Sequence, residues 1–324
     1  MILAVDVGGT KLAAALVDGD GTPLRIVRAA TPQNADARTL WQALDTLIEP
    51  LSAGVTGVGV GCGGPMTWPD GEVSPLNIPG WRAFPLRARL AGRFPGLPVR
   101  IHNDAVCVAV GEHWRGAGRG SADMLGMVVS TGVGGGLVLG GRLINGGTGN
   151  AGHIGHVVVE PEGGPRCGCG GHGCLEAVAR GPALTAWALA RGWVPGRSGP
   201  AEPADSDQKA DDAAAYREER AVTGRALAAD ARAGDEVAVA AMRRAGRALG
   251  IAIASATHLC DLDLVTIGGG LSQAGAPLFG PLEEALREHA RMDFARRVRV
   301  VPAALGQEAG LVGAAALILA GDAY

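Results

Sequence analysis

Two stretches of this 324-residue chain repeat one construction, and that repetition leaves few folds open to it. Positions 2–5 form an apolar run ending at Asp6 and Gly8-Gly9, and a second apolar run over 12–17 is closed by the turn sequence DGDG at 18–21. Apolar runs separated by glycine and closed by Asp-Gly read as a β-hairpin. The same order returns at 124–129, followed by Ser130-Thr131-Gly132-Val133-Gly134-Gly135-Gly136, an apolar run over 137–139 and the turn Gly140-Gly141. The sequence therefore predicts two related halves, each opening on a hairpin whose bend is rich in glycine and hydroxyl groups.

Beyond each hairpin the chain alternates between the helical and the strand period. In the first half Leu40, Leu44, Leu47 and Leu51 predict a helix over 39–51, while 55–60 and 98–101 read as strands and 105–114 as a helix. In the second half 236–259 is a long Ala-rich helix and 262–267 a buried strand closed by Gly268-Gly269-Gly270. A last strand at 298–301 then precedes a helix at 309–320. Strands alternating with helices mean α/β layers, and the length suffices for two domains. The expected division is 1–117, completed by the C-terminal helix at 309–324, and 118–308. The stretch 195–220, rich in Pro, Gly, Asp and Glu, reads as a mobile or partly helical insertion without chemistry.

Charge and cysteine usage narrow the function. Lys+Arg number 29 against 32 Asp+Glu, a net charge of -3, so there is no basic footprint for nucleic acid or an anionic membrane. No segment approaches the ~20 apolar residues of a membrane span, and the N-terminus lacks the basic region of a signal peptide. The expected compartment is the cytoplasm, where thiols stay reduced and clustered cysteines read as metal ligands. Cys167, Cys169 and Cys174 fall within eight positions, downstream of His156. Together these four supply the N and S donors that tetrahedral Zn²⁺ takes, with no position left for a reactive water, so the site reads as structural. Free core cysteines beside a satisfied histidine are the alternative. Cys62, Cys107 and Cys260 are isolated and read as small core residues, and His172 is expected to point outward.

Asp6, Gly8, Gly9, Thr10 and Lys11 set a carboxylate at a strand end, then a bend open to an anion, then a hydroxyl and an ammonium. Such a bend can cradle phosphate, and it reads equally as a plain hairpin turn with a surface lysine. Thr131 and Gly132 in the second bend, and Gly268, Gly269 and Gly270 after the buried strand, carry the same two readings. In His102-Asn103-Asp104-Ala105 a strand ends and a helix begins, so Asp104 is either a helix cap or a general base.

DVGGTK at 6–11, HNDA at 102–105, STGVGGG at 130–136, GHIGH at 152–156, CGCGGHGCLE at 167–176 and IGGGL at 267–271 together resemble the ROK family of bacterial sugar kinases and repressors. The resemblance implies a two-domain actin/hexokinase-like (ribonuclease H-like) α/β fold with a duplicated core, in which ATP and sugar meet in the cleft. It implies Asp104 as the base that accepts the sugar hydroxyl proton, and Asn103 as the residue orienting the ring. Gly64, Pro65, Asn77, His153, His156 and Glu176 would line the sugar, His156 binding Zn²⁺ through one ring nitrogen and facing the sugar with the other. The first two glycine bends would surround the phosphates of ATP with Mg²⁺, and Gly268 to Gly270 would lie on the adenosine side. Asn77 reads equally as a turn residue, Glu176 as a solvated charge at a helix start, and Trp81 as a packing residue rather than a sugar platform. A homodimer or higher homo-oligomer is expected. Repressors of the family carry an N-terminal helix-turn-helix, and with the first strand starting at Ile2 the expectation here is a kinase. Many glucokinases of the family read G-E-x-G-H where this chain has His153, and in that detail it resembles N-acetylmannosamine kinases. A histidine N–H would serve an acyl oxygen. The expected reaction is phosphorylation of the C6 hydroxyl of N-acetylmannosamine, with glucose, fructose or mannose as alternatives.

Overall fold

The computed structural model describes residues 1–196 and 222–324, so the insertion read over 195–220 lies outside the described residues except for its first two positions. The first half holds β1 (Ile2–Val7), β2 (Lys11–Val17), β3 (Pro23–Ala30), β4 (Gly57–Cys62), the short β5 (Met66–Thr67) and β6 (Glu72–Val73), and β7 (Val99–Asn103). The second holds β8 (Met124–Val129), β9 (Val133–Leu139), β10 (Arg142–Leu143), β11 (Leu264–Gly268) and β12 (Arg299–Pro302). The larger sheets have strand orders β3-β2-β1-β4-β7 and β10-β9-β8-β11-β12, the same arrangement twice. In each, the opening hairpin is antiparallel and two further strands run parallel to its first strand. The duplication expected from the two glycine bends thus holds strand for strand.

Period-two alternation in β4 shows how the first sheet is covered. Val58, Val60 and Cys62 enter the core beneath helices Ala37–Ile48 and Leu86–Arg93. Gly57, Gly59 and Gly61 point to the other face, where a side chain on Gly57 would press on Ile318 and one on Gly61 on Cys107. A side chain on Gly59 would overlap the Ala314 carbonyl. The bare face lets helix Ala309–Leu319 lie directly on the sheet, so the C-terminal helix packs with β1, β4 and helix Asp104–Arg115. Glycine does the same work on the second sheet, where Gly126, Gly134 and Gly136 receive Ala109, Ala105 and Val106. Helix Asp104–Arg115 is therefore seated against both sheets, and its first residue is Asp104.

Cys62 and Cys107 are fully buried in the two cores flanking the first sheet, Cys260 is half-buried at the end of helix Glu236–Cys260, and Trp81 is buried with its ring stacked 4.4 Å from Phe84. Strand β3 escapes the sequence reading because it is an edge strand without one buried residue. Helix Leu86–Arg93 buries only Leu86 and Leu90, and Ala276–His289 contains Pro281, so neither shows a long clean period. Among the described residues no helix is long and apolar enough to cross a membrane.

The close seat of the C-terminal helix gives a stability test. A Cβ on Gly313 would overlap the Cys107 carbonyl, backbone that cannot give way. Gly313→Ala is expected to destabilise the protein by about 3 kcal/mol, the upper end of the usual overpacking cost, in urea denaturation. Gly54→Ser, where no atom stands within 4 Å but the φ is +71°, is expected to cost only about 1 kcal/mol.

Candidate active site

Ligands in open parallel sheets bind beyond the carboxyl ends of the strands. For the first sheet those ends are Val7, Cys62 and Asn103, and each leads into candidate residues. Asp6, next to last on β1, points away from the Leu3, Val5 and Val7 core toward the start of helix Ala309–Leu319, where a Cβ on Gly310 would stand 3.5 Å from its carboxylate. Asp104 reaches the same space from the strand-to-helix junction. The cap of that helix is Asn103, whose side-chain oxygen accepts from Ala105 N–H at 3.0 Å. Asp104 is the first helical residue rather than the cap, and its own carboxylate accepts from the same amide at 2.8 Å. Burial, with the like charge of Asp104 adding and Lys11 opposing, pushes Asp6 from the ordinary 3.8 up to about 7. Burial also raises Asp104, against the Ala105 amide and the pull of His153. Two acids pressed into one space are set apart from the ordinary surface carboxylates of the chain.

The wall beside Asp104 is built from three loops. A Cβ on Gly63 would stand 3.3 Å from Asn77 Oδ1 and 3.9 Å from Asp104 Oδ2, and one on Gly64 2.9 Å from Asn103 Nδ2 and 3.7 Å from His153 Nε2. The glycines are therefore the floor of a space ringed by Asn77, Asp104, Asn103 and His153. Asn77 is exposed and lies over Gly9, while Pro65 is exposed beside the floor, joined to Gly64 by a cis peptide. Loop 145–153 of the second half reaches across: Asn150 Nδ2 donates to Met66 O at 3.2 Å, and His102 Nε2 meets Asn145 Oδ1 at 2.7 Å. The His153 ring nitrogen Nδ1 stands 2.9 Å from Asn150 O, which can only accept, so Nδ1 carries the hydrogen. In the neutral ring Nε2, the nitrogen beside Gly64 and Asn103, is an acceptor. The expectation that His153 donates to an acyl oxygen from Nε2 then belongs to the charged ring, in which both nitrogens donate.

His156 sits 6.3 Å from His153, ring over ring, and its Nδ1 is 3.7 Å from Cys167 Sγ. Cys169 and Cys174 sulfurs are also 3.7 Å apart, and the donor atoms of all four residues lie within 4.8 Å of one another. Ligands at about 2.3 Å around a tetrahedral centre stand about 3.8 Å apart, so the four donors fit a closed Zn²⁺ site in both chemistry and spacing. Burial and the neighbouring sulfurs push the Cys174 thiol up to about 12. His172 is exposed, and its backbone pairs with Arg166 across the loop. Glu176, on helix Leu175–Ala179, is half-buried and accepts from Val133 N–H at 3.0 Å, with Gly132 pressed against it, so it is no solvated helix-start charge.

The glycine bends stand at three strand ends rather than in this ring: Gly8 to Lys11 after β1, exposed Thr131 and half-buried Gly132 after β8, and Gly268 to Gly270 after β11. Gly269, at φ 93°, fits only as glycine because a Cβ would run into the Val129 carbonyl, whereas Gly270 faces open space.

The ROK family profile matches residues 2–320, nearly the whole chain. The chain belongs to the ROK family. It is 37% identical over 323 residues to a glucokinase of Thermotoga maritima, covering 98% of this chain and 96% of that protein. It is 35% identical over 321 residues to an N-acetylmannosamine kinase of Shigella flexneri, with 98% and 97% covered. A ROK family glucokinase from Streptomyces griseus, solved with glucose and AMPPNP, superposes with a TM-score of 0.79 at 34% identity, covering 98% of each chain. The fold is accordingly the actin/hexokinase-like one of these ROK neighbours.

Sequence reading missed several residues that shape this ROK site. Thr31 and Gln33 bind the first glycine bend from 23 and 24 residues away, across a strand that shows no pattern. Asn145 and Asn150 lie in a loop whose Gly-Asn-Thr composition signals only a turn. Nothing local marks either pair.

The carboxylate pair makes a pH-dependent stability prediction for the ligand-free protein. The folded state holds the Asp6 proton up to about pH 7, while the unfolded chain releases it near 3.8. Stability is therefore lost as pH rises between those values. Asp6→Asn is expected to stabilise the protein by on the order of 1–3 kcal/mol above pH 7, with the gain disappearing below about pH 4, in thermal melts across pH. A gain that is the same at every pH contradicts the burial of this charge.

Proposed function

We propose that this protein is a cytoplasmic kinase that transfers the γ-phosphate of ATP to the C6 hydroxyl of a hexose, with glucose preferred. Its membership of the carbohydrate kinases rests on the family match over nearly the whole chain and on full-length relatives named as sugar kinases. The observation that carries the chemistry is the pair Asp6 and Asp104, one raised acid from each of two strand ends, beside a ring of hydrogen-bonding groups.

In this reading the sugar lies over Gly63 and Gly64, with Asn103, Glu176 and the two histidines at its hydroxyls. Asp104 accepts the C6 hydroxyl proton as the oxygen attacks phosphorus, a role its raised affinity for protons suits. Phosphoryl transfer is otherwise positioning and charge, so Thr10, Lys11, Thr131 and the amides of the bends hold the phosphates. Asp6 would hold Mg²⁺, which supplies positive charge to the transferring phosphoryl group. The fit lies in the site itself, since two neighbouring carboxylates, only partly offset by Lys11, favour a divalent cation. Gly268 to Gly270 would back the adenosine. His156, Cys167, Cys169 and Cys174 would hold one Zn²⁺ that clamps His156 Nδ1 and so leaves its Nε2 for the sugar. The domain division, 1–117 with the C-terminal helix against 118–308, places these groups on both sides of one cleft.

Glucose is placed ahead of the N-acetylmannosamine expected from sequence because a glucokinase is the 37% identical relative, and because a neutral His153 bound through Nδ1 to Asn150 O presents Nε2 as an acceptor, as a glutamate would. N-acetylmannosamine stays the second reading on the GHIGH sequence and the 35% identical kinase of that sugar. A coupled ADP-release assay over glucose, mannose, fructose, N-acetylglucosamine and N-acetylmannosamine decides between them, and no activity on any would overturn the kinase itself. His153→Glu is expected to keep kcat/KM for the preferred hexose within a few-fold. A loss of about a hundredfold contradicts the acceptor role.

The assignments of base and metal ligands each carry a test. Asp104→Asn is expected to bind sugar nearly as the wild type does while turnover falls on the order of a hundredfold or more at saturating MgATP, and wild-type turnover would exclude Asp104 as the base. Metal analysis of protein purified without chelator is expected to find about one zinc per chain, lost in Cys174→Ser together with thermal stability. Zinc-free protein with native stability would rule out the clamp.

A further inference from the structure

The carbonyls of the first glycine bend are all occupied, and the two amides at its centre, those of Gly9 and Thr10, are not. Thr31 Oγ1 donates to Gly8 O at 2.7 Å and Gln33 Nε2 to Gly9 O at 2.9 Å. The Thr31 backbone N–H donates to Thr10 O at 3.1 Å, and Gly8 N–H closes the bend onto Lys11 O at 3.0 Å. Gln33 gives its other amide hydrogen to Thr31 O, also at 2.9 Å, and because both partners are carbonyls the orientation of its amide is fixed. Among the described residues no acceptor meets the N–H groups of Gly9 and Thr10. Thr31 is buried behind the bend, and the Asn77 side chain covers Gly9 from another side, 2.6 Å from where a Cβ would sit.

A glycine bend is a weak anion site by itself, because a glycine peptide plane turns easily. Each plane carries a donor on one edge and an acceptor on the other. A half-turn replaces an amide that attracts phosphate with a carbonyl that repels it. Here two side chains from the far end of β3 hold the Gly8–Gly9 and Gly9–Thr10 planes by their carbonyl edges. Asx and hydroxyl bonds of this sort usually shape only their own turn, whereas these span more than twenty residues.

We propose that Thr31 and Gln33 are positioning residues for phosphoryl transfer, holding the Gly8 and Gly9 carbonyls away from the nucleotide so that the Gly9 and Thr10 amides are left to its phosphates. The inference rests on the reading of Asp6 to Lys11 as the nucleotide-phosphate bend. It predicts a defect confined to phosphate, because the clamp bears on the carbonyls of the phosphate bend.

The test uses the full-length protein and the variants Thr31→Val, Thr31→Ser and Gln33→Leu. Binding of Mg·AMPPNP, adenosine and the sugar substrate is measured by calorimetry, and KM for MgATP and for sugar by steady-state kinetics. Thr31→Val and Gln33→Leu are expected to weaken Mg·AMPPNP about tenfold and raise the KM for MgATP alike, leaving adenosine and sugar within about twofold, and Thr31→Ser is expected to restore wild-type values. Gln33 is exposed, so its variant keeps the test open if Thr31→Val does not fold. Wild-type affinity for Mg·AMPPNP in both deletions overturns the clamp alone, and so does an equal loss for adenosine and sugar, which marks a merely structural role. Wild-type protein that does not bind Mg·AMPPNP overturns the nucleotide reading and the clamp with it.

Discussion

Two like charges drawn into one enclosed space are the constraint around which this protein is arranged. Asp6 arrives on a central strand and Asp104 at the head of a helix; burial raises both, and the charge of Asp104 adds to the cost of ionising Asp6. The fold answers with partial charges of the opposite sign. The start of helix Ala309–Leu319 stands over Asp6, where a helix N-terminus favours an anion. Ala105 N–H meets Asp104 at 2.8 Å, and Lys11 offsets part of the charge on Asp6. In the proposed function, what these leave unneutralised is what a divalent cation and a sugar hydroxyl would satisfy on binding.

Such an arrangement requires that the helix carrying Asp104 be held rigidly at both ends and along its length. Its sides are fixed by bare glycine on both sheets. Its far end is fixed by Glu112, which is fully buried and accepts from the amides of Ala117, Ala304 and Leu305 at 2.8, 3.0 and 2.8 Å. Those amides lie where the chain leaves the first half and where it returns to it, so one carboxylate gathers both crossings onto the helix that starts with Asp104. The glycine faces and Glu112 are thus means to one end: a carboxylate, Asp104, whose position is set by packing from both halves.

How much of this was legible depended on whether the determinant was local. The two hairpins, the strand-to-helix junction at Asn103-Asp104 and the Cys-x-Cys loop were readable because periodicity, turn chemistry and ligand spacing are properties of adjacent residues. Gly57 and Gly59 of β4 could be seen but not interpreted, since their purpose is a helix about 250 residues away. Edge strand β3 buries nothing and gave no signal, and with it went Thr31 and Gln33. His153 shows the limit from the other side: its identity was plain, but whether it donates or accepts is set by the carbonyl of Asn150, which only the folded loop brings to its Nδ1.

The most direct measurement is the titration of the aspartate side-chain carboxyls by ¹³C NMR in ligand-free protein and in its complex with sugar and MgADP. The account predicts a carboxyl that titrates near pH 7 in the free protein, is absent from Asp6→Asn, and moves down toward the ordinary range when MgADP and sugar are bound. A free protein whose aspartates all titrate near 3.8, with no change on adding ligands, would contradict the claim that a buried carboxylate pair organises the site.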